Sequence, residues 1–240
     1  MMHEPNRQRQ HISGQFNAEL DAIKSNLLEM GGKVESQIEN AAQAMSRADS
    51  GLAEQVLSVD REINDLEISI DEQCLKILAR RQPAAGDLRL VIAITRVTTD
   101  LERMGDEASR VARLAIKRSE SSTVRCYEAE IRLERAAQRV MAMFNKALDA
   151  FARLDMNSAL DVVLSDTTVD EEYAAGLDAL QRAMANERDH IPEFMDLVWS
   201  LRSFERLGDH TSNIAEQVVY LVSGEDIRHF DTAAIRAMIT

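Results

Sequence analysis

The segment FNAELDAIKSNLLEMGGKVESQIENAAQAM, residues 16–45, places an apolar residue at nearly every third or fourth position. This spacing gathers the apolar side chains on one face and predicts an amphipathic α-helix. The same spacing recurs in five further segments, which lie at about 52–78, 88–117, 131–151, 159–184 and 192–221. Because a helix of ~30 residues is ~45 Å long, we expect these helices to pack side by side in bundles.

The composition of the chain excludes some fold classes and some kinds of binding partner. Its 240 residues include 9 Gly and 3 Pro, too few turn-forming residues for an all-β sandwich or barrel, whereas 45% apolar residues suffice for a substantial core. The 41 Asp and Glu outnumber the 28 Lys and Arg, which gives a formal net charge of −13. Because nucleic acids and anionic membranes attract basic proteins, we expect no nucleic-acid partner, and membrane contact only through partner proteins.

Cysteine content and the lack of long apolar segments indicate the compartment. Two cysteines, Cys74 and Cys126, are too few for a disulfide framework and fit a reducing environment. No segment has the apolar core of a signal peptide or the ~20 apolar residues of a membrane span. These observations predict a cytoplasmic protein. Residues 225–240 are short and polar, and they form either a partner-facing tail or a frayed end.

The chain also contains an internal repeat. Residues 45–49, MSRAD, resemble residues 151–155, FARLD. Residues 102–106, ERMGD, resemble residues 205–209, ERLGD. Self-similarity at a nearly fixed separation indicates a duplicated structural unit.

This repeat predicts the fold class and the domain organisation. We expect an all-α fold of two tandem three-helix bundles, with six long helices in total. The first unit spans residues 1–118 and begins with a polar N-terminal tail. The second unit spans residues 119–240 and begins with a polar linker at 119–123.

Each copy of the Glu-Arg-x-Gly-Asp motif carries two carboxylates four residues apart. They are Glu102 and Asp106 in the first unit, and Glu205 and Asp209 in the second. Residues at this spacing share one helix face, where like charges repel. Hard cations offset such repulsion because they bind several carboxylate oxygens at once. Gly105 and Gly208 lie inside the motifs at a cost of ~1 kcal/mol each relative to Ala, which predicts close approach by a helix, an ion or a ligand.

The second helix of each unit offers matching acids. Asp166 and Asp170 are four residues apart and align with Asp60 and Asn64 of the first unit. We therefore expect four carboxylates to converge in the second unit, and three carboxylates with the Asn64 amide in the first. The predicted metal ligands are Asp60, Glu102, Asp106, Asp166, Asp170, Glu205 and Asp209. The alternative is that these acids are solvated, or paired with the arginine inside each motif, as is common in an acidic chain.

No arrangement typical of an active site is present in the sequence. It lacks a Ser-His-Asp or Cys-His combination, a glycine-rich phosphate loop and the pair of Glu-x-x-His motifs that di-iron bundle enzymes carry. His210, which follows Asp209, is either a metal ligand, a hydrogen-bond donor to one, or a packed side chain. We therefore predict that the protein is not an enzyme.

Several motifs carry a resemblance to a known family. They are HISGQFNAEL at 11–20, RQP at 81–83, DLR at 87–89 and the two Glu-Arg-x-Gly-Asp motifs. In this order, over nearly the whole chain, they resemble the PhoU family, the phosphate transport system regulatory proteins of bacteria. The resemblance implies two three-helix units in a cytoplasmic homodimer that acts as a negative regulator of the phosphate-starvation (Pho) regulon. It implies as partners the phosphate ABC transporter ATPase and a sensor histidine kinase, coupled when phosphate is plentiful.

The resemblance also implies a cofactor and leaves an alternative function open. Some family members bind multinuclear metal clusters through acidic motifs on the second and third helices, and the metal here would be Fe, Mn, Mg or Zn. The predicted acids match those motifs, except that Asn64 departs from the acidic pattern. The alternative function is metal binding or phosphate sensing, with an indirect effect on regulation.

Overall fold

The structure is a computed structural model that describes residues 5–120 and 124–238, without the side chains of residues 5–13 and Thr232. Within these ranges the chain is helical and has no strand, which confirms the all-α fold class. The first half contains α1 (Pro5–Arg47), α2 (Ser50–Arg81) and α3 (Ala85–Glu120). The second half contains α4 (Tyr127–Arg153), α5 (Met156–Ser165), α6 (Thr167–Asn186), a 3₁₀ turn (Arg188–His190), α7 (Ile191–Ser223) and α8 (Thr232–Ala237).

The helices form two bundles that pack against each other. In the first bundle α1, α2 and α3 contact one another, and in the second α4, α6 and α7 do so, with α5 against α4 and α7. The bundles meet where α3 packs along α7 and where α1 contacts α4. No helix in the described ranges combines the length and the hydrophobicity that crossing a membrane requires. The unit boundary between residues 118 and 119 stays a prediction.

Equivalent turns open the second helix of each half. Ala48 and Leu154 both adopt a left-handed backbone, with φ of 53° and 54°. The residues that follow them, Asp49 and Asp155, accept hydrogen bonds from backbone N–H groups of the next helix and cap its N-terminus. The repeat in the sequence is therefore reproduced in the backbone conformation.

The fifth predicted helix, expected as one segment over residues 159–184, is divided in two. α5 ends at Ser165 and α6 begins at Thr167. The hydroxyls of Ser165 and Thr168 each donate to a backbone carbonyl oxygen three residues earlier. Ser and Thr side chains compete in this way with the regular helical hydrogen bonds. The break places Asp166 at the junction between α5 and α6.

The termini and the linker also differ from the predictions. α1 begins at Pro5, before the apolar stripe, so the predicted polar tail is helical from that residue onward. α3 continues to Glu120, into the predicted linker, of which residues 121–123 lie outside the described ranges. Near the C-terminus Ile227 and Ile235 are buried, and α8 contacts α5. This segment is therefore packed on the second bundle rather than frayed.

Candidate functional site: two acidic clusters and the cleft between α3 and α7

The four acids predicted for the second unit are electrostatic neighbours. Burial raises the pKa of Asp166 to about 6, and the charges of Asp209, Asp170 and Glu205 add to the rise. Burial also raises the pKa of Asp209, and the charge of Asp170 is the next cause. The structure therefore places these carboxylates close enough to influence one another's protonation.

Glu205 completes this second cluster. Burial, followed by the charge of Asp209, raises its pKa. Its Oε1 accepts a hydrogen bond from Arg202, whereas its Oε2 is buried without a hydrogen-bond partner in the described structure. Because buried polar atoms are rarely left unpaired, Glu205 Oε2 is a position at which a proton or a cation would be favourable.

The acids of the first unit form a corresponding cluster between α2 and α3. Burial raises the pKa of Glu102, followed by the charges of Asp106, Glu67 and, more weakly, Asp60. Burial also raises the pKa of Glu67, followed by the charges of Asp71 and Asp106. Glu67, whose counterpart in the second unit is a tyrosine, therefore joins the three predicted acids.

The glycine inside each motif is explained by close helix packing. A Cβ at Gly105 would lie 3.5 Å from Ile63 of α2 and 3.2 Å from a side-chain oxygen of α1. A Cβ at Gly208 would lie 3.5 Å from Val169 of α6 and 3.2 Å from Asp166 Oδ1. The third helix of each unit therefore approaches the second helix closely at this glycine, and the acids on both helices are drawn together.

A buried hydrogen-bond network supports the acids of the first unit. Gln37 of α1 donates from Nε2 to the Val56 carbonyl oxygen and to Ser109 Oγ, both at 3.2 Å. Ser109 in turn donates to Asp60 Oδ1 at 2.9 Å. The Asp60 carboxylate is therefore held by hydrogen bonds that connect all three helices of its unit.

Within the described part of the second unit, no equivalent hydrogen-bond network supports the acids. The repeat aligns Met143 of α4 with the glutamine of α1, and a thioether offers no donor to its neighbours. Ser212, the counterpart of the networked serine, lies beside Asp166 and opposes the rise in its pKa, yet Ser212 Oγ has no partner in hydrogen-bonding geometry. The buried acid of the second unit is therefore less well satisfied than its counterpart.

The acidic clusters fit a hard cation in donor type and charge, but not in side-chain position. Carboxylate oxygens are the ligands that Mg²⁺ and Mn²⁺ prefer, and Glu205 Oε2 is without a donor. Among residues 5–120 and 124–238, however, no three Asp, Glu, His or Cys side chains stand together in a way that could hold a metal ion. The metal site stays a prediction, and it requires these side chains to rearrange.

The motif arginines do not pair with the motif acids. Arg206 donates to Glu107 Oε1 of α3 at 2.9 Å. Arg103 lines the boundary between the units and has no ion pair within the part of the chain that the structure describes. Of the nearby arginines, Arg202 is the one that pairs with Glu205.

Two buried carboxylates of α3 that the sequence analysis missed connect the units. The first is Glu107, which is 5% exposed. Its Oε2 accepts a hydrogen bond from Ser203 of α7 at 2.7 Å, and both its oxygens accept from Arg110 at 3.2 Å. With the Arg206 bond, this carboxylate has donors from both units, and we assign it a structural role.

The second buried carboxylate is Asp100, which is 8% exposed. Its Oδ1 lies 2.8 Å from His210 Nδ1 and accepts a hydrogen bond from Asn213 at 3.1 Å. His210 is therefore a packed partner of α3. Asp100 and Glu107 are seven residues apart and lie on the same face of α3 as its buried apolar residues. An acidic residue at such a position in the sequence indicates a carboxylate that is buried and hydrogen-bonded.

A cleft of about 720 Å³ opens along the contact between α3 and α7. Four arginines line it, which are Arg103, Arg110, Arg202 and Arg206. Asp106 of the first cluster and Asp166 and Asp209 of the second also line it, so the cleft joins the two acidic clusters.

The sequence matches the PhoU domain twice, at residues 27–115 and at residues 133–218. The chain belongs to the PhoU family. Each match lies within one half of the molecule and contains its Glu-Arg-x-Gly-Asp motif. The resemblance seen in the sequence is thereby confirmed.

Known PhoU proteins are similar to this chain over most of their length. The phosphate-specific transport system accessory protein PhoU homolog of Pseudomonas aeruginosa is 51% identical over 219 residues, which cover 91% of this chain and 90% of that protein. The phosphate-specific transport system accessory protein PhoU of Escherichia coli is 40% identical over 219 residues, with the same coverage.

Solved PhoU structures share the fold. The crystal structure of PhoU from Pseudomonas aeruginosa superimposes with a TM-score of 0.84 at 49% identity, covering 88% of this chain and all of that one. The phosphate transport system regulatory protein PhoU from Streptococcus pneumoniae superimposes with a TM-score of 0.77 at 27% identity, covering 88% of this chain and 98% of that one. The helical architecture is therefore that of the family.

Proposed function

We propose that this protein is an accessory regulator of phosphate transport and a negative regulator of the Pho regulon. It couples the phosphate ABC transporter ATPase to a sensor histidine kinase by protein–protein binding when phosphate is plentiful. The observation that carries this proposal is the match of both halves to the PhoU domain, with relatives at 40% and 51% identity named phosphate-specific transport system accessory proteins. We further propose that it acts in the cytoplasm as a homodimer, as the family resemblance implies.

An exposed apolar stripe on α2 is a candidate surface for partner binding. Ile68 and Leu75 lie seven residues apart on this helix and are 59% and 65% exposed. The repeat aligns them with Ala174 and Gln181 of α6, so the second unit lacks the stripe. We propose that these two exposed apolar side chains contact the kinase or the ATPase.

Regulation by binding requires only a difference in affinity. A protein that binds one state of the kinase more tightly than the other increases the population of that state. Preference for the state that dephosphorylates the response regulator therefore represses the regulon without any catalytic group on the regulator. The acidic surface of the chain, with net charge −13, favours partners with basic docking faces.

Deletion of the gene tests the proposed function directly. We expect a phosphate-regulon reporter to become constitutive at high phosphate in the deletion strain and to be repressed again when the gene is supplied on a plasmid. Normal repression in the deletion strain would contradict the proposal.

The α2 stripe has its own test in purified components. We expect the double variant Ile68→Glu, Leu75→Glu to bind the cytoplasmic part of the kinase, or the ATPase, at least about tenfold more weakly, because a charge in an apolar contact must be desolvated. The matched control is Ala174→Glu, Gln181→Glu, at the aligned positions of the second unit. Equal loss of binding in both double variants would remove the stripe from the proposed interface.

Metal binding is the second candidate function, and the mutual elevation of carboxylate pKa values in both clusters favours it. A bound cation would neutralise the repulsion between these acids. Elemental mass spectrometry of protein purified without chelator tests it, beside a variant in which the motif acids are amides (E102Q, D106N, E205Q, D209N). Stoichiometric metal that disappears in a folded variant supports a cluster, and equal metal content in both proteins contradicts it.

A further inference from the structure

The cleft between α3 and α7 brings four arginines together with five carboxylates, in a chain whose net charge is −13. Arg103 and Arg110 reach it from the first unit, and Arg202 and Arg206 reach it from the second. We propose that this cleft binds a phosphate group, held by arginines of both units. The inference rests on the proposed role in phosphate regulation and adds a ligand class and a site to it.

Arg103 and Arg206 occupy equivalent positions in the two motifs, but among the residues that the structure describes only Arg206 has a carboxylate ion-pair partner. Arg206 pairs with Glu107 across the contact between the units. The residue equivalent to Glu107 in the second unit is His210, which bonds to Asp100 instead. Arg103 therefore lines the cleft without an ion pair among the described residues, and its guanidinium is available to an anionic ligand.

A buried hydroxyl without a hydrogen bond also lines the cleft. Ser212 is 7% exposed and lies beside Asp166, but its Oγ has no partner in hydrogen-bonding geometry within the described structure. Buried polar groups are otherwise almost always paired, and this hydroxyl can donate to a ligand oxygen that enters the cleft. The equivalent Ser109, which does not line the cleft, is fully engaged with Gln37 and Asp60.

Five carboxylates share the cleft with the arginines and limit where an anion can bind. Glu107 is already compensated by two arginines and a serine. Asp106, Asp166 and Asp209 line the cleft as well and belong to the two acidic clusters, so a bound phosphate group must contact Arg103 at a distance from them. Glu216 follows Arg206 by ten residues, which is ~15 Å along α7.

The chemistry of the side chains selects a phosphate group. A planar guanidinium donates two parallel hydrogen bonds to phosphate oxygens, which a lysine ammonium does not. A cleft of about 720 Å³ accommodates either free orthophosphate or a phosphate group carried by a nucleotide. Because the arginines come from both units, the bound ligand connects α3 to α7 and stabilises their packing.

Isothermal titration calorimetry in metal-free buffer tests the proposal with three probes, which are orthophosphate, ATP and citrate as a polyanion without phosphorus. We expect saturable binding of orthophosphate or ATP, weakened at least about tenfold by Arg103→Gln, since a charge-assisted hydrogen bond is lost. Arg113→Gln is the matched control, because Arg113 is exposed on the same helix but does not line the cleft. We expect Ser212→Ala to weaken binding less than Arg103→Gln does.

Intrinsic fluorescence gives a second readout, because Trp199 is the only tryptophan of the chain and is 51% exposed on α7, two turns before Arg206. We expect its emission to change on saturation in the parent protein and in Arg113→Gln, at the ligand concentration that calorimetry gives.

The three probes distinguish free phosphate from a nucleotide as the ligand, and they show whether the cleft binds a phosphate group at all. Binding of orthophosphate alone assigns the site to free phosphate, and binding of ATP alone assigns it to a nucleotide. The proposal is overturned if neither binds, if citrate binds equally well, or if Arg103→Gln and Arg113→Gln behave alike. Such a failure leaves the proposed function standing, because that function is tested independently by derepression in the deletion strain.

Discussion

The first unit buries Gln37 where the second buries Met143, and the acidic clusters above them differ accordingly. In the first unit the glutamine and a serine form a hydrogen-bonded path to Asp60. In the second unit the serine has no partner and burial raises the pKa of Asp166 to about 6. Duplication has therefore kept the helices, the turns and the motif glycines, while the buried polar groups have diverged.

The contact between the units shows the same asymmetry. Both buried acids of this contact, Asp100 and Glu107, belong to α3, whereas α7 supplies Ser203, His210 and Asn213 as their partners. A symmetric duplication would place acids on both helices. Because the acids lie on α3 and the polar partners on α7, each carboxylate has a donor from the other unit. Arg103, unlike Arg206, therefore has no buried acid on the facing helix to pair with among the described residues.

The largest expected effect concerns the feature that the units share. We expect Gly105→Val and Gly208→Val each to lower the free energy of unfolding by about 2–3 kcal/mol, because the added carbons overlap tightly packed atoms of the neighbouring helices. The control is Gly32→Val, since a Cβ at Gly32 has no neighbouring atom within 4 Å. Urea denaturation measures all three. A small loss at one motif glycine alone would show that the two units do not pack their second and third helices equally closely.

The next effect concerns the contact between the units. We expect Glu107→Ala to lower the free energy of unfolding by about 2 kcal/mol, because the buried Ser203 hydroxyl loses its acceptor while the half-exposed arginines regain water. Asp178→Ala, which removes an exposed pair with Arg182, should cost less than about 0.5 kcal/mol. Thermal or urea unfolding of both variants checks the difference. Equal costs would mean that Glu107 does not connect the units energetically.

The acids of the two motifs could be predicted from the sequence, whereas the buried pairing of Glu107 could not. Helical periodicity and the repeat predict the helices, the two bundles and the acid pairs, because these depend on residues close together in the chain. Glu107 lies in phase with the apolar stripe of α3, but its partner Ser203 is 96 residues away, so the local pattern does not reveal the pair. The break at Asp166 was missed for a different reason, since hydroxyl competition for backbone carbonyls has a weaker signal than the apolar period.

A reciprocal exchange of Gln37 and Met143 tests why the two acidic clusters differ. We expect Gln37→Met to cost about 1 kcal/mol in the free energy of unfolding, because the Val56 carbonyl and the Ser109 hydroxyl each lose a donor. We expect Met143→Gln to lower the pKa of Asp166 from its value of about 6, because the repeat places residue 143 where Gln37 donates to Asp60 Oδ1 in the first unit. Carboxyl NMR titration measures the second effect. An unchanged pKa of Asp166 would show that the residue on α4 does not set the difference between the clusters.

The smallest effect concerns the pKa of Glu216, which is raised from an ordinary value of 4.5 to about 7. Burial is the main cause, and the charge of Arg228 opposes it. The charges of Asp226, Asp100 and Asp166 add to the rise. An acid with a raised pKa favours the native state when it is protonated. Its contribution is therefore complete below pH 4.5 and is lost as the pH rises through 7.

Asp226 has the opposite sign, because its pKa is lowered to about 2 by hydrogen bonding to Arg228, so its contribution is lost only in acid. Between pH 5 and 8, Glu216→Gln should therefore flatten the decline in the free energy of unfolding. Asp226→Asn should reduce the decline by less, because it removes only one of the charges that raise the pKa of Glu216. Asp166, with its pKa of about 6, retains part of the decline in Glu216→Gln. An identical slope in the parent protein and in Glu216→Gln would place the pH dependence of the second unit entirely in its acidic cluster.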